Sequence, residues 1–162
     1  MAAGSASWSF TEEDSGAIRT VLQKFLFDSN ARCALLVDRS GQLVATVGER
    51  PNFDPTAFAT LTAADFSAND QLAKLVGEND FSSLFHQGDN ASMYLADVAR
   101  RVILVVLFDS RTTLGLVRLK MKETVIQLTK LFEQVFARSA EGPAHRPGLL
   151  AGAEDEIDKL FG

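Results

Sequence analysis

A long helical pattern of apolar and polar residues lies between Asp54 and Gly77. Asp54 can accept hydrogen bonds from the first free N–H groups, and Pro55 is suited to the first helical position. Gly77 supplies the left-handed conformation that commonly ends a helix. Because no other Gly or Pro interrupts this stretch, the spacing predicts a helix about 33 Å long.

Apolar residues of this predicted helix form two rows at helical spacing. The first row is Phe58, Leu61, Ala68, Leu72 and Leu75, and the second, partly apolar row is Ala59, Thr62, Phe66, Ala73 and Val76. One row suffices for a helix that lies on a sheet. The second row indicates that the opposite side is covered too, but Ala is also the best helix former, so composition leaves both interpretations open.

The remaining pattern predicts two more helices and five strands. An N-terminal helix begins after Thr11, with Asp14 at the capping-box position, and it ends near Asn30. The last helix begins near Leu114 and continues to about Arg138, with apolar residues at steps of three and four. Strands are predicted at 33–38, 43–47, 82–87, 93–98 and 102–108. The order α-β-β-α-β-β-β-α indicates an α/β sandwich, in which an antiparallel sheet of about five strands carries helices on its faces.

Changes in composition along the chain predict four segments. Residues 1–10 are mostly small and polar and are expected to be flexible. Residues 11–138 form the domain, and residues 139–153, rich in Gly, Ala and Pro, form a linker. Residues 154–162 are acidic, and Ile157, Leu160 and Phe161 have the spacing of a peptide that becomes helical in a groove. The alternative is a disordered tail whose apolar residues have no role, since so short a helix is unstable alone.

Composition and charge narrow the functional classes. The 162 residues are 46% hydrophobic and 23% charged, which is ordinary for one globular domain with a tail. The net charge of −5 argues against a nucleic-acid-binding surface. The expected location is the cytoplasm, because we find no membrane-spanning run, no signal-peptide pattern and a single cysteine, Cys33.

Residues suited to catalysis are sparse. The sequence has no Walker phosphate loop and no Gly-x-Gly-x-x-Gly turn. Cys33 lies in an apolar strand, where a thiol is usually inert. The two histidines, His86 and His145, have no candidate nucleophile or metal-ligand cluster near them in the sequence. We therefore expect no active site, no metal site and no cofactor in this chain.

Two groups of cations are candidates for partner contacts. Arg118 and Lys122 lie one turn apart, off the apolar stripe of the last helix, and together they could hold an acidic partner. Solvated Lys and Arg are also normal on an outer helix face. An arginine donated to another enzyme's phosphoryl-transfer site would lie in a turn. The arginines in predicted turns are Arg39, Arg100, Arg101 and Arg111.

Seven stretches, taken in order, resemble the Roadblock family, and in particular its bacterial cell-polarity and motility members. They are LLVDRSGQL at 35–43, LTAA at 61–64, LAKLVGEN at 72–79, FHQG at 85–88, VILVVLFD at 102–109, LGLVRL at 114–119 and EIDKLF at 156–161. The resemblance covers about residues 11–138 and the tail.

The resemblance implies a Roadblock-type homodimer in which the long central helices of two protomers lie side by side. The interface residues it implies are Ala63, Ala64, Ser67, Ala68 and Gln71. The partner it implies is a Ras-like small GTPase of the MglA type, whose GTP hydrolysis the dimer accelerates by rearranging the switch regions, without inserting an arginine. GTP and Mg²⁺ would belong to that GTPase. The tail, through Ile157, Leu160 and Phe161, would dock on the GTPase and modulate nucleotide exchange, and a cell pole is a further expected location.

Two residues depart from the family pattern. Asp65 stands where relatives usually carry Asn, and Gln71 is larger than a tight helix crossing prefers. A looser dimer crossing is one consequence. The alternative function is a Roadblock-type scaffold that bridges polarity proteins without affecting GTP hydrolysis.

Overall fold

In the part of the chain that the structure describes, three helices form where the sequence predicts them. The structure is a computed structural model that describes residues 10–141, with side chains as far as Arg138. Helix α1 spans Glu12–Ser29, α2 spans Pro55–Leu75 and α3 spans Leu114–Glu141.

Local capping sets the helix ends. The Thr11 hydroxyl accepts a hydrogen bond from the Asp14 N–H, and the Asp14 carboxylate accepts one from the Thr11 N–H, so the predicted capping box is present. Asn30 ends α1 in the left-handed conformation. The Asp54 carboxylate accepts a hydrogen bond from the Thr56 N–H at 3.0 Å, which confirms the predicted start of α2.

The five strands of the described residues form one antiparallel sheet. They are β1 (Cys33–Asp38), β2 (Leu43–Gly48), β3 (Ser83–Gln87), β4 (Ser92–Val98) and β5 (Val102–Phe108). Their order across the sheet is β2-β1-β5-β4-β3, which leaves β2 and β3 at the edges. The most hydrophobic run, β5, lies at the centre, as expected for a strand buried on both faces. The predicted fold class is therefore confirmed.

Helices cover both faces of the sheet unequally. Along β5, Leu104 and Val106 belong to the core cluster shared with α1 and α3, whereas Ile103 and Val105 belong to the cluster shared with α2. Arg138 near the end of α3 pairs with Asp14 near the start of α1, because the two helices run antiparallel. The result is three layers, α1 with α3, then the sheet, then α2 alone.

The turn between β1 and β2 lies close against α2. The buried Asp38 carboxylate accepts a hydrogen bond from the Gln42 N–H at 3.0 Å, which holds the turn. Gly41 has φ of +98°, and a Cβ there would lie 3.3 Å from the Thr60 Cα of α2. Glycine therefore permits both the left-handed backbone and the close approach. The turn places Arg39 beside α2.

Candidate partner-binding surfaces

Helix α2 packs on the sheet with its partly polar row. Its buried residues are Ala59, Thr62, Phe66, Asn69 and Ala73. Phe66 is fully buried in the core cluster with Leu35 and Val105. The buried Asn69 amide donates a hydrogen bond to a backbone carbonyl at 3.3 Å, so this polar group has a partner. The sheet therefore requires only one of the two rows on α2.

The other row of α2 is uncharged, and all of it is exposed except Phe58, which is half-buried and packs against the core cluster. Its three leucines are between 56% and 82% exposed, and small residues lie between them. We call the exposed, uncharged side of α2 the α2 stripe, and its residues are Ala57, Leu61, Ala64, Ala68, Gln71, Leu72 and Leu75. A continuous exposed apolar surface of this kind marks an interaction site. The alanines keep its centre low, so the backbone of another helix can approach closely.

The predicted dimer residues lie in or beside this stripe. Ala64, Ala68 and Gln71 belong to it, and Ser67 is exposed next to it. Ala63 is half-buried on the side of the β1–β2 turn. Their role in a dimer stays a prediction. The predicted dimer residues do not include Leu61, Leu72 and Leu75, which are exposed in the same stripe. Their helical spacing and large apolar side chains were the signal in the sequence that could have identified them.

A charged cluster connects the β1–β2 turn, α2 and β4. Arg39 Nη1 donates a hydrogen bond to Asp70 Oδ2 on α2 at 2.6 Å, and Arg39 Nη2 donates one to Asp97 on β4. The guanidinium carbon lies 5.0 Å from the centre of the Phe66 ring. Burial lowers the pKa of Arg39, but its hydrogen bonds to Asp97 and Asp70 outweigh this, and the pKa is raised. The cluster lines a cavity of about 240 Å³.

Two of the other turn arginines are held by their own chain. Arg111 donates to Glu49 at 2.6 Å and to Asp109 at 3.0 Å. The Arg101 guanidinium lies over the Phe136 ring, with its carbon 4.8 Å from the ring centre. Both side chains would have to break these contacts before they could reach a partner's active site.

Arg100 is presented differently. It and Ala99 form the β4–β5 turn with φ of +58° and +54°, a left-handed backbone that non-glycine residues rarely adopt. Its side chain is 85% exposed, and the ion pair it makes, with Asp80, is long at 3.9 Å. Of the four turn arginines, Arg100 is therefore the freest to meet a partner.

The outer face of α3 combines apolar and basic residues. Leu119 and Ile126 are 55% and 59% exposed, and they lie two helical turns apart on the same side. Arg118, Lys122 and Lys130 are exposed, and none of them forms an ion pair within residues 10–138. We call these five residues the α3 outer face. By contrast, other cations of this helix are paired, as in Lys120 with Glu123.

Helix α2 also contacts the edge strand β3. His86 Nε2 lies 2.7 Å from Asp65 Oδ2, and both side chains are more than one-third exposed. Asp65 is the position that departs from the family pattern, and here its carboxylate ties α2 to the sheet edge. The pair lies beside the α2 stripe, so it positions the stripe relative to β3.

The described residues hold no group of three His, Cys, Asp or Glu side chains that could bind a metal ion. Burial raises the pKa of Cys33 to about 11, so the thiol is protonated near neutral pH.

No helix in residues 10–141 is both long and apolar enough to cross a bilayer. Four residues named in the sequence analysis lie outside the described part of the chain, namely His145 and the tail residues Ile157, Leu160 and Phe161.

Comparison with known proteins identifies relatives of this fold. The family model of the Roadblock/LC7 domain matches residues 17–108. Myxococcus xanthus MglB is 47% identical with a TM-score of 0.70, and the match covers 72% of this chain and 95% of that one. The gliding protein MglB of Thermus thermophilus is 31% identical with a TM-score of 0.74, over 79% of this chain and 97% of that one. A further structure, described as MglB with tetrameric arrangement, is 31% identical with a TM-score of 0.75, over 80% and 97% of the two chains.

Proposed function

The chain belongs to the Roadblock/LC7 domain family, and from this membership we propose that it is a homodimeric GTPase-activating protein for a Ras-like small GTPase of the MglA type. The observation that carries the proposal is the α2 stripe, an exposed apolar surface on a chain 47% identical to Myxococcus xanthus MglB. Polarity and gliding motility are the cellular processes it would serve, in the cytoplasm and at a cell pole.

The dimer forms through the α2 stripe. Two copies related by a two-fold axis would place the alanines of one stripe against those of the other, with the leucines closing the sides. This arrangement covers the leucines that a single chain leaves exposed. The tetrameric arrangement described for an MglB relative supports association between copies of this fold.

The dimer acts on the GTPase by binding its GTP form and shifting the switch regions into a hydrolysing arrangement. It does so without inserting an arginine. The contacts of Arg39, Arg101 and Arg111 with their own chain support this mechanism. Arg118 and Lys122 lie on the opposite side of the sheet from α2 and are available to an acidic segment.

The decisive experiment is GTP turnover by an MglA-type GTPase at saturating concentrations of this protein. We expect clear acceleration by the wild-type chain and, within about twofold, the same acceleration by Arg100→Ala. An inserted arginine contributes about 10³–10⁵ to the rate, so an Arg100→Ala variant that loses activity on that scale would refute the arginine-free mechanism. No acceleration by the wild-type dimer would remove the activating role and favour the scaffold alternative.

The tail is proposed to dock on the GTPase and to modulate nucleotide exchange. Residues 154–162 carry the anchors Ile157, Leu160 and Phe161. Deleting Glu154 to Gly162 is expected to leave the fold unchanged and to alter the rate at which the GTPase exchanges GDP for GTP. Release of a fluorescent nucleotide measures this rate. Equal rates with full-length and truncated protein would leave the tail without this role.

A further inference from the structure

We propose that residues 154–162 of this chain dock on the α3 outer face of the same chain. The α3 outer face belongs to the described residues 10–141, and residues 154–162 follow them in the sequence. Three properties connect them: charge, apolar spacing and reach.

The charges are complementary. The α3 outer face carries Arg118, Lys122 and Lys130, which have no ion-pair partner in the part of the chain that the structure describes. These three cations outnumber the exposed Glu133 on the same side of the helix, and the nearby Glu123 is already paired with Lys120. The segment 154–162 carries four acidic residues and one lysine. Opposite charges at this range attract, and salt weakens the attraction. An acidic segment is therefore the chemistry that this face selects.

The apolar residues are spaced for a helix-on-helix contact. Leu119 and Ile126 lie about 10.5 Å apart along α3, with Lys122 between them. The segment offers Ile157, Leu160 and Phe161, which would share one side of a short helix. A short amphipathic helix gains its stability from such a surface rather than from itself. The leucine and isoleucine on α3 supply that surface.

The chain is long enough to reach. Residues 142–153 connect the end of α3 to the acidic segment, and fully extended they span about 40 Å. From Glu141 back to Ile126 is about 22 Å along α3, and to Leu119 about 33 Å. The segment can therefore fold back along the helix it follows without requiring a second chain.

The α2 stripe does not compete for this segment. It is the larger exposed apolar row, but none of its residues is charged. Four carboxylates placed against it would lose hydration without gaining a cation. The two surfaces therefore differ in the partner they suit. The uncharged α2 stripe suits a second copy of the chain, and the α3 outer face, with its cations, suits the acidic segment.

This docking has a regulatory consequence that rests on the proposed function. A tail held on α3 is not available to the GTPase, so the GTPase must displace it before it can affect exchange. The docking itself needs no GTPase, and it can be tested in the isolated protein.

The test places the photo-crosslinker p-benzoylphenylalanine at position 159 of the full-length chain and, in a second variant, at position 162. Mass spectrometry then identifies the crosslinked peptide. A mixture of isotope-labelled and unlabelled protein distinguishes links within one chain from links between chains. We expect links within one chain to the α3 segment 115–130 from at least one of the two positions.

Charge reversal supplies the matched control. Arg118→Glu combined with Lys122→Glu is expected to lower the crosslink yield about fivefold, whereas Arg19→Glu, an exposed reversal on α1, leaves it unchanged. Adding Asp155→Lys and Asp158→Lys to the α3 reversal should restore the yield. Links confined to α2, links only between chains, or no links from either position would each overturn the proposal. Because no GTPase is present, none of these outcomes depends on the turnover assay.

Discussion

Replacing Ala68 with Arg is expected to convert the proposed dimer into monomers, raising the dimer dissociation constant by about 100-fold or more. Ala68 lies in the middle of the α2 stripe, between Ala64 and Leu72, and it is exposed in the single chain, so the fold can accept the longer side chain. In a two-fold symmetric interface the change adds one unpaired charge from each protomer. The stripe contains no acidic residue, and Asp65, one turn before Ala68, already contacts His86.

Analytical ultracentrifugation over a range of concentrations measures this effect, and circular dichroism checks that the fold is kept. Gln23→Arg is the matched control, because it adds the same charge at an exposed position of α1, on the other side of the sheet. We expect this control to remain dimeric. An Ala68→Arg protein with the wild-type dissociation constant would show that the stripe is not the seam between protomers.

The elements could be predicted because their signals are local. Thr11 and Asp14 are three residues apart and meet within the first turn of α1. Asp54 and Pro55 act on the backbone directly next to them. The run of β-branched residues in β5 needs only its own length and branching to be assigned to a central strand.

The surface of α2 could be predicted only in part. Both of its apolar rows have the helical period, so periodicity cannot say which one faces the sheet. The buried row includes Thr62 and Asn69, and the exposed row includes Leu61, Leu72 and Leu75. Hydrophobicity alone would therefore select the wrong side for the sheet. A second copy of the chain would explain why the leucines face away from the sheet. If that copy covers them, they become core residues of the dimer.

The charged cluster around Arg39 could not be predicted, because its members are distant in sequence. Asp70 lies 31 residues from Arg39 and Asp97 lies 58 residues away. Only the antiparallel pairing of β1 with β5 and of β5 with β4 brings the turn and the end of β4 together. From the sequence, Arg39 was one of four turn arginines with no distinguishing feature.

Removing this arginine, by Arg39→Ala, is expected to lower the free energy of unfolding by about 2–3 kcal/mol. Asp70 and Asp97 are each about one-quarter exposed, so without Arg39 two partly buried carboxylates lose their shared cation. Asp70 Oδ1 is already buried without a hydrogen-bond partner in the described residues, so the loss of Arg39 removes the hydrogen bond that Asp70 Oδ2 accepts as well. The melting temperature should fall by about 6–10 °C, as measured by calorimetry.

Arg111→Ala is the control that separates this effect from the loss of any ion pair. Arg111 also contacts two carboxylates, but it is half exposed, and water can replace it. Its removal should lower the melting temperature much less than Arg39→Ala does. Arg39→Lys should recover part of the loss, since Lys supplies the charge but not the forked geometry that reaches both acids and covers the Phe66 ring. Equal losses in Arg39→Ala and Arg111→Ala would mean that the cluster does not hold α2 against the sheet, and the α2 stripe would then need another support.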